Sequence, residues 1–233
     1  MQPVLETRSL RFRYPDGTEA VRGVDFLLYP GETVALLGPN GSGKSTFSLL
    51  LAGLLRGQGE IYVGGARLED ATLADVRRHV GLVFQNADEQ LFMPTVLEDV
   101  AFGPVNAGMA ARRAFELART TLEQVGFKAG RDRAPYHLSA GEKRRVSLAG
   151  VLVMQPDILI LDEPTTSLDP PGQRDLTALL RSLPQSKVVI TNDTDFARAL
   201  AARAVFFSEG RIAADGDLEE ILHRFAWRNS QPA

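Results

Sequence analysis

Nine residues, Gly38-Pro39-Asn40-Gly41-Ser42-Gly43-Lys44-Ser45-Thr46, lie between an apolar strand at Thr33–Leu37 and an apolar helical stretch at residues 45–55. Glycines at 38, 41 and 43 permit positive φ angles, so that successive backbone amides can face one point. A helix starting near Lys44 adds free N–H groups and the positive end of its dipole. The spacing implies a cradle for a triphosphate, with Lys44 reaching the β- and γ-phosphates and the Ser45 hydroxyl available to Mg²⁺. A glycine-rich turn without a ligand is the plainer reading, and the full spacing in a strand–loop–helix context argues against it.

The rest of the chain must accommodate that loop. Its 233 residues, 44% of them hydrophobic, are enough to bury a large interior. The longest apolar runs, such as 47–55, fall short of a bilayer span, and Met1-Gln2-Pro3-Val4-Leu5-Glu6 lacks the basic start and apolar core of a signal peptide. There are no cysteines, which excludes disulfides and cysteine-bound metals and fits a reducing cytoplasm. A net charge of −3 gives no basic field, so nucleic acid is not expected as a partner, and a membrane role is expected to run through another protein. His79, His137 and His223 are scattered and suggest no metal site.

Alternation of Leu10, Phe12 and Tyr14 with Arg11 and Arg13, a turn at Pro15-Asp16-Gly17-Thr18 and an apolar run at residues 24–28 predict an antiparallel hairpin. Further strands are predicted at residues 59–63 and 80–84. From about residue 86 to 154 helical spacing dominates, notably over 110–125, and this stretch reads as a helical insertion. Strand and helix then alternate at 158–161, 172–183, 188–191, 196–202 and 204–207, the pattern of a parallel sheet with crossover helices. A hairpin turns at Glu209-Gly210, a last helix is predicted over 218–225, and the final residues are expected to fray. The chain thus reads as one α/β domain, with residues 1–85 and 155–233 forming the core and an N-terminal antiparallel part, and residues 86–154 a helical part.

Ile158-Leu159-Ile160-Leu161 is continuously apolar, as befits a strand covered on both faces, and it ends in Asp162-Glu163. Ligands of open α/β sheets bind at that end of the strands. Asp162 is therefore expected to hold Mg²⁺ through water, and Glu163 to polarise the water that attacks the γ-phosphate. Helix capping is the alternative use of two acids at such a turn.

The whole set resembles the ATP-binding-cassette ATPases, over essentially the entire chain. Leu138-Ser139-Ala140-Gly141-Glu142 is similar to that family's LSGGQ signature, Ser167-Leu168-Asp169 to its D-loop, Gln85 to its Q-loop glutamine, and Tyr14 to the aromatic that stacks on adenine. The resemblance implies a P-loop NTPase fold with antiparallel β and helical subdomains, ATP with Mg²⁺ as cofactors, and Gln85 as a further metal and catalytic contact. It also implies a head-to-tail dimer, in which Ser139 and the Gly141 amide of one copy meet the γ-phosphate held by the other. Ser139 with Glu142 three residues on has the form of a capping box as well, and the two roles are compatible.

A finer resemblance runs from Gly81 to Phe92 and through Val100-Ala101-Phe102-Gly103-Pro104, which looks like the energy-coupling-factor importers of cobalt, nickel and vitamins. It implies a transmembrane coupling protein docking near residues 86–104, with Asp88, Glu89, Glu98 and Asp99 facing basic residues of that partner. Through it the chain would serve a substrate-binding membrane component at the cytoplasmic face of the membrane. The chain stops soon after Trp227 and is expected to lack the additional C-terminal dimerisation segment of many members of that subgroup. Two features depart from the family. Asn192 stands where the family places a γ-phosphate-contacting histidine, and Ala140 and Glu142 replace glycine and glutamine in the signature. An amide carries no positive charge and takes no proton near neutrality, so hydrolysis is expected to be slow while ATP binding persists. An ATP-gated dimerisation switch is the alternative function.

Overall fold

The N-terminal alternation becomes the antiparallel pair β1 (Leu5–Arg13) and β2 (Glu19–Leu28) in a computed structural model that describes residues 1–128 and 130–227. β2 begins well before the expected residue 24. A tight turn, closed by Tyr14 N–H to Thr18 O at 2.8 Å with Gly17 at φ 91°, lets pairing resume at Glu19. β3 (Thr33–Leu37) runs into the glycine loop, and α1 (Lys44–Leu51) leaves it. α1 stops four residues short of the expected end. Gly53 sits at φ 65°, its N–H bonds to Leu50 O at 3.0 Å, and Leu54 N–H bonds to Leu49 O at 2.8 Å. That two-bond termination needs a left-handed residue, which glycine supplies.

β4 (Gln58–Val63) and β5 (Ala66–Arg67) complete a four-stranded sheet of order β2-β1-β4-β5. β5 and the next helix, α2 (Leu73–His79), are too short to show periodicity, and the sequence did not announce them. β6 (Val80–Val83) precedes three helices within the stretch read as helical, α3 (Val96–Asn106), α4 (Ala111–Gln124) and α5 (Ala140–Leu152). The chain continues through β7 (Ile158–Asp162), α6 (Pro170–Ser182), β8 (Ser186–Ile190), α7 (Thr194–Leu200), β9 (Arg203–Ser208), β10 (Arg211–Asp217) and α8 (Leu218–Arg224). α6 starts two residues ahead of expectation because Asp169 Oδ1 caps it, accepting from Gly172 N–H at 2.9 Å, and Pro170 suits the first turn. The expected fraying of the last residues falls outside the described residues. Among the described residues no helix is long and apolar enough to cross a membrane.

The second sheet has order β10-β9-β3-β8-β7-β6, with β9 through β6 parallel and β10 an antiparallel edge. β7 and β8 are buried throughout, which explains the apolar runs at residues 158–161 and 188–190 within them. Between the two sheets lies a core centred on Phe47 of α1, whose ring stacks on Phe207 at 5.5 Å and meets Phe26 edge-on at 5.8 Å. A second core joins Val83, Leu159 and Leu161 of the sheet to Val96, Leu122 and Val146 of α3, α4 and α5.

Phe47 is fully buried, so Phe47→Ala should cost ~3–5 kcal/mol. Thermal denaturation of the nucleotide-free protein should show a loss of roughly 6–20 °C, at about 2–4 °C per kcal/mol for a chain of this size.

Candidate functional site

Strand order decides which loops meet. β3 lies between β9 and β8, and β8 between β3 and β7, with Leu36 paired to Ile190 and Ile190 to Asp162. On the far side of β7, Leu161 pairs with Val83 of β6. The ends of four parallel strands therefore present the glycine loop, Asn192, Asp162-Glu163 and Gln85 along one edge. They open onto a cavity of about 800 Å³ lined also by Tyr14, Lys44, Ser45 and Thr46.

The loop's form is fixed by contact as well as by φ. Gly38, Gly41 and Gly43 lie at φ 139°, 77° and 105°. A Cβ on Gly38 would stand 2.0 Å from Phe207 O, and one on Gly43 would stand 2.2 Å from Ala20 O. Gly41 has open space and is required by its φ alone. Gly210 N–H donates to Ser42 O at 2.9 Å, tying the loop to the β9–β10 turn. The Ser42 hydroxyl is buried and has no partner. The Lys44 ammonium donates to Gly38 O at 2.6 Å and Pro39 O at 2.9 Å, so it is folded back on its own loop.

Charges are concentrated and poorly hydrated here. Burial lowers the Lys44 pKa, against the pull of Glu163 and Asp162. Burial raises the Asp162 carboxyl, opposed by the Ser45 hydroxyl, Lys44 and Arg144, and Asp162 Oδ1 has no hydrogen-bond partner. Burial raises Glu163 too, against a bond from Asn192 N–H at 3.4 Å, with Asp162 adding to the rise. Glu163 holds a left-handed backbone at φ 42°, anchored by its N–H to Ile190 O at 2.9 Å. No helix starts at this pair, so capping is not its use. A carboxylate oxygen without a donor, beside a serine hydroxyl, is the oxygen-rich corner a hard divalent cation takes, and the residues present fit Mg²⁺. Asn192 Nδ2 donates to Asn40 Oδ1 at 3.2 Å across the cavity, and Asn192 Oδ1 is buried without a partner.

Other expected residues are placed unequally. Tyr14 sits on the rim, its hydroxyl 2.9 Å from Thr46 Oγ1 and its ring edge-on to Phe12. None of residues 138–142 lines the cavity. Ser139 caps α5 in a complete capping box, with Ser139 N–H and Oγ both on Glu142 Oε2, at 2.9 and 3.0 Å. Arg133 pairs with Glu142 at 2.6 Å and, after the Ser139 N–H, helps hold that carboxyl below its usual range. Ala140 opens the helix with no positive φ, so its methyl is tolerated. Of the D-loop, Ser167 lines an adjoining cleft with Ser45, Gln85 and Asp162, whereas Asp169 is the cap of α6.

The acidic quartet is mostly committed elsewhere. Asp99 is buried and accepts from Phe92 and Met93 N–H, Glu98 completes the cap at Thr95, and Asp88 pairs with Lys143 at 2.6 Å. Beside the exposed Asp88 and Glu89, the surface near residues 86–104 offers an apolar pair: Phe92 is 64% exposed and packs edge-on against Phe102, itself 41% exposed. Arg144 carries no signal along the chain that marks it out. It is 4% exposed on α5 and donates to Phe84 O and Gln85 O at 2.6 and 2.7 Å. Only tertiary packing brings those carbonyls to it.

Residues 21–166 match the family model described as ABC transporter. A putative ABC transporter ATP-binding protein of Gloeobacter violaceus is 52% identical over 94% of this chain and 91% of its own length. The energy-coupling factor transporter ATP-binding protein of Methanocaldococcus jannaschii is 42% identical over 94% of this chain and 81% of its own. Among solved structures, cbiO1 from Clostridium perfringens, part of the ABC transporter complex cbiONQ, superposes with a TM-score of 0.85 at 33% identity, covering 97% of this chain and 92% of that one. A dimeric ATP-binding cassette in a post-hydrolysis state, bound to ADP and Pi, gives 0.83 at 27% identity, over 92% of this chain and 98% of that one.

A carboxyl whose folded pKa is raised binds more protons folded than unfolded, so its ionisation lowers stability as pH rises through the interval between the two values. Glu163→Gln should therefore melt above the parent at pH 7.5 without nucleotide, by about 2–4 °C for each ~1 kcal/mol relieved. The gain should shrink as pH falls through the raised value toward the ordinary carboxyl range, where the parent's Glu163 takes its proton. A pH-independent difference would remove ionisation as its cause.

Proposed function

The chain belongs to the ABC transporter family of ATPases, and on that premise we propose that it is the motor subunit of an importer of the energy-coupling-factor type, with a cobalt, nickel or vitamin cargo. The observation that carries the ATP site is one cavity on which the loop amides, buried Lys44 and the unpaired Asp162 Oδ1 converge. ATP would lie with its phosphates along residues 38–46 and its adenine against Tyr14. Ser45, Asp162 and Gln85 would hold Mg²⁺, which supplies neutralising charge at the phosphates. Glu163, kept basic by its raised pKa, accepts the proton of the attacking water. The importer subtype rests on likeness to the energy-coupling factor subunit and to cbiO1.

The pair of cassettes is supported from within one chain. The signature residues lie outside the cavity, and a Cβ on Gly141 would touch only Leu168 Cδ2 at 3.9 Å. Nothing in its own chain requires glycine there, and a partner's triphosphate approaching the helix start would. The membrane partner would dock on Phe92 and Phe102 rather than on acidic residues, placing the subunit at the cytoplasmic face of the membrane through that contact.

A second reading, a switch that closes on ATP and scarcely hydrolyses it, is favoured by the bond between Asn192 and Asn40. An amide donor spent on the loop cannot serve as a protonated imidazole would at the γ-phosphate. Asn192→His should raise steady-state phosphate release about tenfold or more, ~1.4 kcal/mol of barrier, with ATP affinity little changed. An unchanged rate would refute slow hydrolysis. Glu163→Gln should abolish turnover and accumulate an ATP-bound dimer in sedimentation; a mutant that stays monomeric with ATP would count against the motor.

A further inference from the structure

Arg144 stands five residues beyond Ser139 on α5, and its guanidinium reaches the first two residues after β6. The two carbonyls it holds belong to Phe84 and to Gln85, a residue that lines the corner with Ser45 and Asp162. Burying a guanidinium is costly, and two neutral carbonyls offset that cost only if the geometry is held. A planar fork satisfies both carbonyls at once and fixes their mutual orientation, which an ammonium on a flexible stem does not. Two further contacts join the same elements, Lys143 to Asp88 and Gln90 Nε2 to Ser147 O, but the Asp88 end of the first is largely exposed.

We propose that Arg144 is a positioning residue that makes the start of α5 and the backbone of Gln85 one rigid piece. The metal corner of one cassette and the presentation of Ser139 to the nucleotide of the other are thereby set together. This rests on the paired-cassette reading above. Arg144 does not line the cavity; it acts through Gln85 and Ser139. Its loss should uncouple the two sites while leaving the loop of residues 38–46 intact, so that MgATP binding to a single chain weakens far less than pairing does.

The test uses the full chain carrying Glu163→Gln, so that bound ATP persists, with Arg144→Lys, Arg144→Met or Lys143→Ala added. MgATP affinity is measured by calorimetry at concentrations where the protein is monomeric, and ATP-dependent dimerisation by sedimentation. Arg144→Lys should keep nucleotide affinity within about twofold and weaken dimerisation about tenfold, the scale of one charge-assisted hydrogen bond. Arg144→Met should weaken dimerisation further, and Lys143→Ala should leave it nearly unchanged. Dimerisation unaltered in Arg144→Lys and Arg144→Met, or reduced only in proportion to nucleotide affinity, overturns the inference alone. Failure of the Glu163→Gln parent to dimerise with ATP overturns the paired-cassette reading and this inference with it.

Discussion

The backbone of Gly38 lies against the carbonyl of Phe207, and that of Gly43 against the carbonyl of Ala20, too close in both places for a side chain. The glycine loop is thus clamped between a strand of the parallel sheet and a strand of the antiparallel one. Its shape does not depend on a ligand, and preorganised amides need little rearrangement when charge arrives. Everything else at the site takes its place from this clamp: α1 starts where the loop ends, and Phe47 on α1 then locks both sheets together.

Around the loop the chain gathers charges that water solvates poorly. Lys44 is turned onto the carbonyls of Gly38 and Pro39, Asp162 keeps one oxygen unpaired, and Glu163 holds a strained backbone beside it. Each is expensive alone, and each pKa direction follows from burial, which outweighs the hydrogen bonds and opposite charges that act against it. A polyphosphate with a divalent cation would answer these deficits together, since cation and carboxylate, ammonium and phosphate are complementary. The same economy explains Glu142, whose charge is absorbed by Ser139 and Arg133 before it can trouble an approaching anion.

The surface read as acidic teaches a different lesson. Asp99, Glu98 and Asp88 look alike in sequence, yet one is buried under two N–H donors, one is a cap partner and one is an ion-pair partner. Composition cannot tell a solvated carboxylate from one spent on its own backbone, because the donors arrive from turns whose geometry is set elsewhere. Exposure of Phe92 and Phe102 is equally invisible along the chain.

By itself the sequence determined the chemistry. The glycine spacing, the apolar run ending in Asp162-Glu163 and the period of each long element were legible because they arise from local backbone rules. The short β5 and α2, the early stop of α1 at Gly53 and the capped start of α6 were not read, since a turn or two carries too little periodicity to outweigh its flanks. Which strand ends are neighbours was settled by packing across the sheet, and with it that Asn192 reaches Asn40 and that Arg144 reaches the carbonyls of Phe84 and Gln85. Those contacts span 59 to 152 residues of chain, and strand order, which no local propensity encodes, is what brings them within bonding distance.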